Sequence, residues 1–453
     1  MRKHYQVEIL DDISAKVYIP NDLRAKSKLT KVAFGTHSLE TTIEHHERNI
    51  LIISKDIAIQ LKYPDISVPM HLFIDNDTLL IGPLVGIFTS GFTPFPIRPI
   101  GERSLFFAKL LSVKKSVGAL PFVFGEQHIN WERGTINGLF YHLDGWKTFE
   151  VPFPNVIYDR LPNRKSERQT ELKLVKERLQ TDYMIPWYNP GFFNKIDVYE
   201  RLQQNDDIAE YLPETHTFSS FSEIERMLSD YGHVFIKPIN GSLGLGIHQI
   251  LYDKVEDTYF CRYREQNGEN KLIKYNSLES LMHHIFAGKN LNRMLVQQGI
   301  HLLRTNKRPI DFRIHTNKDD NGNWITSAIA AKVAGAGSVT THVNNGGVIK
   351  TIAEVFPSTE ERKEIEEKLT LAALKLSKRL EENMEGIIGE IGFDFGIDRK
   401  GNVWLFEANS KPGRSIFKNP QLKDFDFLTR KLSLAFSVYL TERAISSPED
   451  IFK

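Results

Sequence analysis

Short apolar runs separated by polar turns occupy residues 1 to about 75. They are Val7 to Leu10, Ala15 to Ile19, Lys31 to Phe34, Ile50 to Ile53 and Ile57 to Leu61. Such runs predict strands, and together a small β-rich barrel or sandwich over 1–75. From about 78 the spacing changes. Leu79 to Phe88 predicts one buried strand, residues 102 to 117 a helix, and Ala119 to Phe124 a second strand. Gly138 to Tyr141 and the proline-containing stretch Val151 to Ile157 follow. Strand, helix, strand predicts a small α/β domain over 78–185. Arg160 to Arg168 is basic and polar and predicts a linker or exposed loop. Residues 186–445 predict the largest unit, of class α+β. It contains one well-marked helix. Ser358 and Glu361 form a capping box, Ile365, Leu369, Ala372, Leu376 and Leu380 recur at helical spacing, and Gly386 is placed to end it.

That helix leads into the segment with the most chemistry. Ile391 to Ile397 and Trp404 to Gly413 flank the turn Asp398-Arg399-Lys400-Gly401, which predicts a hairpin. Side chains alternate along a strand, so Glu407 and Asn409 share a face while Trp404, Phe406 and Ala408 take the other. Asp394 would lie across from Glu407. Three oxygen-bearing side chains would then converge, a set suited to Mg²⁺ shared with substrate phosphates. An ordinary solvated hairpin is the alternative.

Further signals precede it. Val234 to Pro238 is a β-prone run carrying Lys237, and Asn240-Gly241-Ser242-Leu243-Gly244-Leu245-Gly246 follows. Glycines at this density let backbone N–H groups approach phosphate oxygens. The spacing matches neither a Walker loop nor a dinucleotide fingerprint. A glycine loop between two strands would cover phosphates as a flap, or would simply turn. Lys237 favours the flap, as a point charge for phosphate. Leu295 to Ile300 is an apolar strand stopping at Gln297 and Gln298, whose amides could meet an adenine edge or solvent. Ile310 to Ile314 sets Asp311 and Arg313 on one face, either as a salt bridge or with Arg313 aimed at a transferring phosphoryl group. Lys332 stands on an otherwise apolar strand. The loop Thr340 to Gly347, with Asn344 and Asn345, either contacts phosphates or turns.

Composition narrows the class. Of 453 residues, 41% are hydrophobic and 25% charged, as in a globular protein. Net charge is +1, from 58 basic and 57 acidic residues, so bulk charge offers nothing for nucleic acid. Cys261 is the only cysteine, which excludes an intrachain disulfide and fits a reducing compartment. No long apolar core follows Met1 to Gln6, and Leu79 to Phe88 falls short of the roughly 20 residues of a membrane span. A cytoplasmic protein without a membrane span is expected. His37, His45 and His46 lack zinc-site spacing. His283 and His284 point to different faces of a predicted helix. Gly241-Ser242 is not a nucleophile elbow. Cys261 beside Arg262 and Arg264 is either a thiol of lowered pKa or a structural cysteine.

In this order the motifs resemble the ATP-grasp superfamily, and within it the endospore coat-associated YheC/YheD branch, over residues of about 186 to 445. The resemblance implies two α+β lobes gripping ATP, preceded by a small α/β domain and here also by the β-rich segment. It implies ATP and Mg²⁺ (or Mn²⁺) as cofactors and a carboxylate–amine ligase acting through an acylphosphate. The carboxylate and the amine stay unidentified. The alternatives are an ATP-binding assembly protein of the spore coat and a phosphotransferase. Spore coat proteins become candidate partners, and the mother cell or forespore periphery the implied location. Residue by residue, Lys195 and Lys237 resemble the two nucleotide-binding lysines, and Gly241 to Gly246 the flexible loop. Gln297, Gln298 and Ile300 fall at the adenine hinge, and Asp311 at a ribose or lobe contact. Lys332 resembles the γ-phosphate lysine, and Asp394, Glu407 and Asn409 the metal trio. Ser410, Lys411 and Arg414 follow where relatives bind a substrate carboxylate; a solvated basic loop is the other reading. Many amide-forming members carry arginine where this chain has Gly392. Arg313 resembles an arginine of RimK-type ligases and is the candidate replacement.

Overall fold

Among the described residues the strands form five β-sheets. The computed structural model describes residues 3–23, 27–239, 245–265 and 267–452, the side chain of Asn344 excepted. Two four-stranded sheets form the N-terminal region. One orders its strands Gln6–Leu10, Ile50–Ser54, Lys16–Pro20, Thr42–His46; the other His37–Glu40, Lys31–Phe34, Thr78–Gly82, His71–Asp75. The long apolar run is therefore two strands. Thr78–Gly82 pairs with Lys31–Phe34, whereas Leu84–Phe88 joins the next sheet beside Leu120–Phe124. Pro83 separates them; without an N–H it cannot continue a central ladder. The N-terminal strands and the middle sheet share one core, with Val17, Leu51 and Phe34 buried alongside Phe88, Phe122 and Trp187. The expected helix over 102–117 is two, Ser104–Leu111 and Lys114–Val117.

Two six-stranded sheets follow. The first is ordered Thr215–Thr217, Met294–Gln298, His233–Pro238, His248–Asp253, Thr258–Arg264, Asn270–Tyr275. The helices Phe221–Tyr231 and Leu278–Phe286 cover it through Ile224, Leu228, Leu281 and Ile285. Cys261 lies in this core, fully buried, and burial pushes its thiol up to about 12. It is thus a structural residue, not a reactive thiolate.

The second sheet runs Val348–Lys350, Trp324–Val333, Arg308–Lys318, Glu390–Ile397, Val403–Asn409, with the short sixth strand Arg304–Thr305 paired to Arg308–Lys318. The helix Thr359–Asn383 starts at Ser358, whose side chain accepts from the Glu361 N–H. It seats Leu369, Leu376 and Leu380 against Phe312, Ile314 and Phe393. The C-terminal helix Lys423–Ser446 buries Leu434, Phe436 and Val438 with Val85, Ile87 and Phe107 of the middle region, and so joins it to the second lobe. No helix among the described residues is long and apolar enough to cross a membrane.

Candidate nucleotide and metal site

The expected hairpin forms with Asp394 directly opposite Glu407 and Gly392 opposite Asn409. A β-bulge follows Asp394, pairing Phe395 with Leu405. The extra residue shifts the alternation. Val403, Leu405 and Ala408 face the core, while Phe406 turns to the cleft and lines it beside Glu407. The assignment of Trp404 and Phe406 to the face of Ala408 is corrected accordingly: a strict period of two cannot register a bulge. Trp404 instead donates its indole N–H to Asp398 (3.1 Å).

The cleft lies between the two six-stranded sheets. Phe235, Leu245, Ile247, Ile300, Leu302 and Phe406 make an apolar slot. Lys195, Lys237, Lys332, Asp311, Asp394 and Glu407 line the charged end. Lys237 is almost fully buried, 8% exposed, and donates to Gln297 Oε1 (2.9 Å). Gln297 Nε2 donates to the Tyr199 hydroxyl and to Thr215 Oγ1 (2.8 Å each), and Tyr199 donates to the Leu405 carbonyl of the second sheet (2.7 Å). Burial, then the Lys195 charge, lowers the Lys237 pKa to about 7, with Glu407 opposing. Desolvation of an ammonium that has no ion pair among the described residues explains the direction.

Lys332 spans Asp311 (2.9 Å) and Asp394 (2.8 Å), and Arg313 Nη2 reaches the other Asp394 oxygen (3.0 Å). Burial works against the Lys332 charge, but the two carboxylates outweigh it and raise its pKa. Burial likewise works against the Asp394 charge, but Arg313 and Lys332 outweigh it and hold the carboxyl below its usual value. Burial raises Asp311, against Lys332. Lys195 sits 3.6 Å from Glu407. At Gly392 a Cβ would lie 2.9 Å from Arg313 Nη1 and 2.5 Å from Pro412 Cβ. A glycine there gives the Arg313 guanidinium its place.

Several candidates fall elsewhere. The Gln297 amide is spent on Lys237, Tyr199 and Thr215, and the Gln298 side chain accepts from the Glu214 N–H (3.0 Å). Both line the cleft. Thr340, Thr341 and His342 reach the cleft; the Thr341 hydroxyl donates to Asp311. Asn345, 5% exposed, instead locks the loop by donating to Thr340 Oγ1 (2.7 Å). Gly246 has a positive φ of 71° beside the lining residue Leu245. Gly241, Ser242, Leu243 and Gly244 lie outside the described residues, as does the Asn344 side chain.

Ser410, Lys411 and Arg414 are neither a solvated basic loop nor open to the cleft. Ser410, 2% exposed, donates to the Gly191 carbonyl (2.5 Å) and accepts from the Phe193 N–H (3.2 Å). The Lys411 side chain, 2% exposed, pairs with Asp159 (2.7 Å) and Glu167 (2.9 Å). Arg414 donates to Thr429 (2.6 Å) and Ser433 (3.1 Å) and lies 3.5 Å from Glu390. Glu390 also pairs with Arg160 (2.6 Å), so the head of the expected linker 160–168 is held against the second lobe, while Asn163, Lys165 and Arg168 are exposed as expected. Partners this remote in sequence leave no local signal. Phe406 could have been found only by anticipating the bulge.

A model of the YheC/D-like ATP-grasp family matches residues 184–440. The chain belongs to that family. It is 42% identical over 438 residues to the endospore coat-associated protein YheD of Bacillus subtilis (strain 168), covering 96% of both chains. The endospore coat-associated protein YheC of the same organism is 24% identical over 285 residues, 62% of this chain and 77% of YheC. Among solved structures, a D-alanine–D-alanine ligase from Bacillus anthracis aligns with TM-score 0.44 and 12% identity, over 78% of this chain and 98% of that one. The fold is thus α+β, the two six-stranded sheets being the lobes of an ATP-grasp domain.

Proposed function

We propose that the protein is an ATP- and Mg²⁺- or Mn²⁺-dependent carboxylate–amine ligase acting through an acylphosphate. The observation that carries this reading is that buried Lys237, which has no ion pair among the described residues, lines one cleft with Lys332 and Asp394 around an apolar slot. Lys195 and Lys237 hold the phosphates, and the base stacks in the slot against Phe406. Lys332 and Arg313 meet the charge that develops on the transferring phosphoryl group, where fixed cations act most strongly. A substrate carboxylate oxygen forms the new bond to phosphorus as ADP leaves. The amine then attacks the acyl carbon, phosphate leaves, and the amine gives up a proton.

Asp394, Glu407 and Asn409 form an all-oxygen donor set on one hairpin, which suits a hard divalent cation. Among the described residues no cluster of three or more His, Cys, Asp or Glu offers another such place. When bound, the cation neutralises phosphate charge. Asp394, Glu407 and Asn409 would hold it, and Asp394 also pairs with Lys332 (2.8 Å) and Arg313 (3.0 Å).

A second reading, ATP binding without turnover in spore coat assembly, draws on the closure of Ser410, Lys411 and Arg414 within the fold, which leaves the acceptor side without an open cation. The name of the YheD relative points to the same setting. The test is ADP release with Mg-ATP against amino acids, short peptides and cell-wall precursors, with Glu407→Ala alongside. Acceptor-dependent ADP from the unaltered protein supports turnover, and product analysis separates ligation from phosphate transfer. ATP binding with no acceptor-dependent ADP favours the assembly role.

A further inference from the structure

Behind the slot, and sharing Phe235, Ile300 and Leu302 with it, lies a second cavity of about 240 Å³ whose arginine and histidine lining the nucleotide reading does not use. One wall is the cleft face of the first-lobe sheet. Strand register sets Phe235 beside Gln249 and Gln249 beside Arg262, with His233 one step along. The opposite wall is the hinge with His301 and Arg304, completed by Arg399 from the Asp398 turn. This wall is fixed: the Arg399 N–H donates to the His301 carbonyl (3.2 Å) and the Leu303 N–H to the Ile397 carbonyl (2.8 Å).

Three guanidinium groups and two imidazoles line the cavity, and no Asp or Glu stands among its described lining residues. Burial and then the Arg304 charge hold Arg262 below the ordinary arginine value, with no carboxylate offsetting them. His233 is 5% exposed and its ring lies 4.7 Å from that of His301. Burial, then His301, lowers its pKa to about 4, so it stays neutral at physiological pH. Gly299 permits this packing, since a Cβ there would lie 2.1 Å from the His233 ring. Arg262 is half-buried while Arg304 and Arg399 are exposed, so together they hold a positive potential over the hollow that favours an anion. Guanidinium forks match phosphate and carboxylate oxygens in pairs.

We propose that this cavity is a binding site for a compact dianion, a phosphate ester or a polycarboxylate, separate from ATP and seated behind the nucleobase slot. Arg262 and Arg399 clasp it from opposite walls, Arg304 adds charge, and Gln249 offers hydrogen bonds.

Calorimetry of the full chain with inorganic pyrophosphate, and separately with citrate, tests this, with Lys237→Met as the control for anions entering the nucleotide cleft. The expected result is binding of at least one probe by the unaltered protein and by Lys237→Met, weakened tenfold or more by both Arg262→Gln and Arg399→Gln. Preference for pyrophosphate identifies a phosphate ester as the ligand, and preference for citrate a polycarboxylate. Thermal melts show whether each variant is folded. Binding lost in Lys237→Met but unchanged in both arginine variants assigns the anion to the nucleotide cleft and overturns the proposal, as does no binding of either probe. Failure of the ATP reading would show instead as ATP affinity indifferent to Lys237→Met.

Discussion

Under the proposed function, the desolvated Lys237 meets a phosphate, and nucleotide affinity then depends on pH through it. Its pKa is about 7 in the free protein. A phosphate oxygen at contact distance contributes about 4 kcal/mol at an effective dielectric near 20, or roughly three pKa units. The bound-state pKa is therefore near 10. The sign follows: the bound state holds its proton more tightly, so binding takes up a proton above pH 7 and affinity falls as pH rises. If only the ammonium form binds well, the competent fraction drops from about 0.24 at pH 7.5 to about 0.01 at pH 9, a loss of roughly 20-fold. Titration calorimetry of ATP in buffers of different ionisation enthalpy reads the proton directly, and uptake of about 0.9 proton is expected at pH 8. Lys237→Met should bind weakly and without this slope. An affinity flat from pH 7.5 to 9, with no proton uptake, would refute the reasoning.

Four further outcomes are expected. Glu407→Ala should abolish Mg-ATP turnover while leaving the melting curve intact; full turnover would remove the residue from the metal set. Gly392→Ala places a Cβ against Pro412 and Arg313 and should cost about 1–3 kcal/mol in denaturant unfolding, with turnover falling as Arg313 is displaced. Lys411→Met leaves Asp159 and Glu167 facing each other and should destabilise by about 3–5 kcal/mol. Its KM for any acceptor should be unchanged per folded molecule, whereas a selective rise in KM would restore a substrate role. Phe406→Ala should weaken ATP binding by stripping the slot of its ring, with GTP and ATP affected alike.

The charged end of the cleft was legible because its parts are local. Lys237 at a strand end, and Asp394 facing Glu407 across a short turn, follow from alternation within a few residues. The same alternation misplaced Phe406, because a bulge depends on the partner strand as well as on the residues of its own. Gln297 was visible, but its use was not: only Tyr199 and Thr215, brought in from distant segments, show that its amide is already spent.

The sequence by itself determined the β-rich start, the α+β character of the remainder, the long capped helix and the hairpin that aligns two carboxylates. Each depends on side-chain periods and turn residues read over a handful of positions. Tertiary structure alone decided where charges are cancelled and where they are left open. Lys411 meets Asp159 across 252 positions and Arg160 meets Glu390 across 230, so two apparently exposed cations became buried seams. Arg262, Arg304 and Arg399 came together with no carboxylate among them. Burial and pairing set the free energy of a charge, and both belong to the folded chain as a whole.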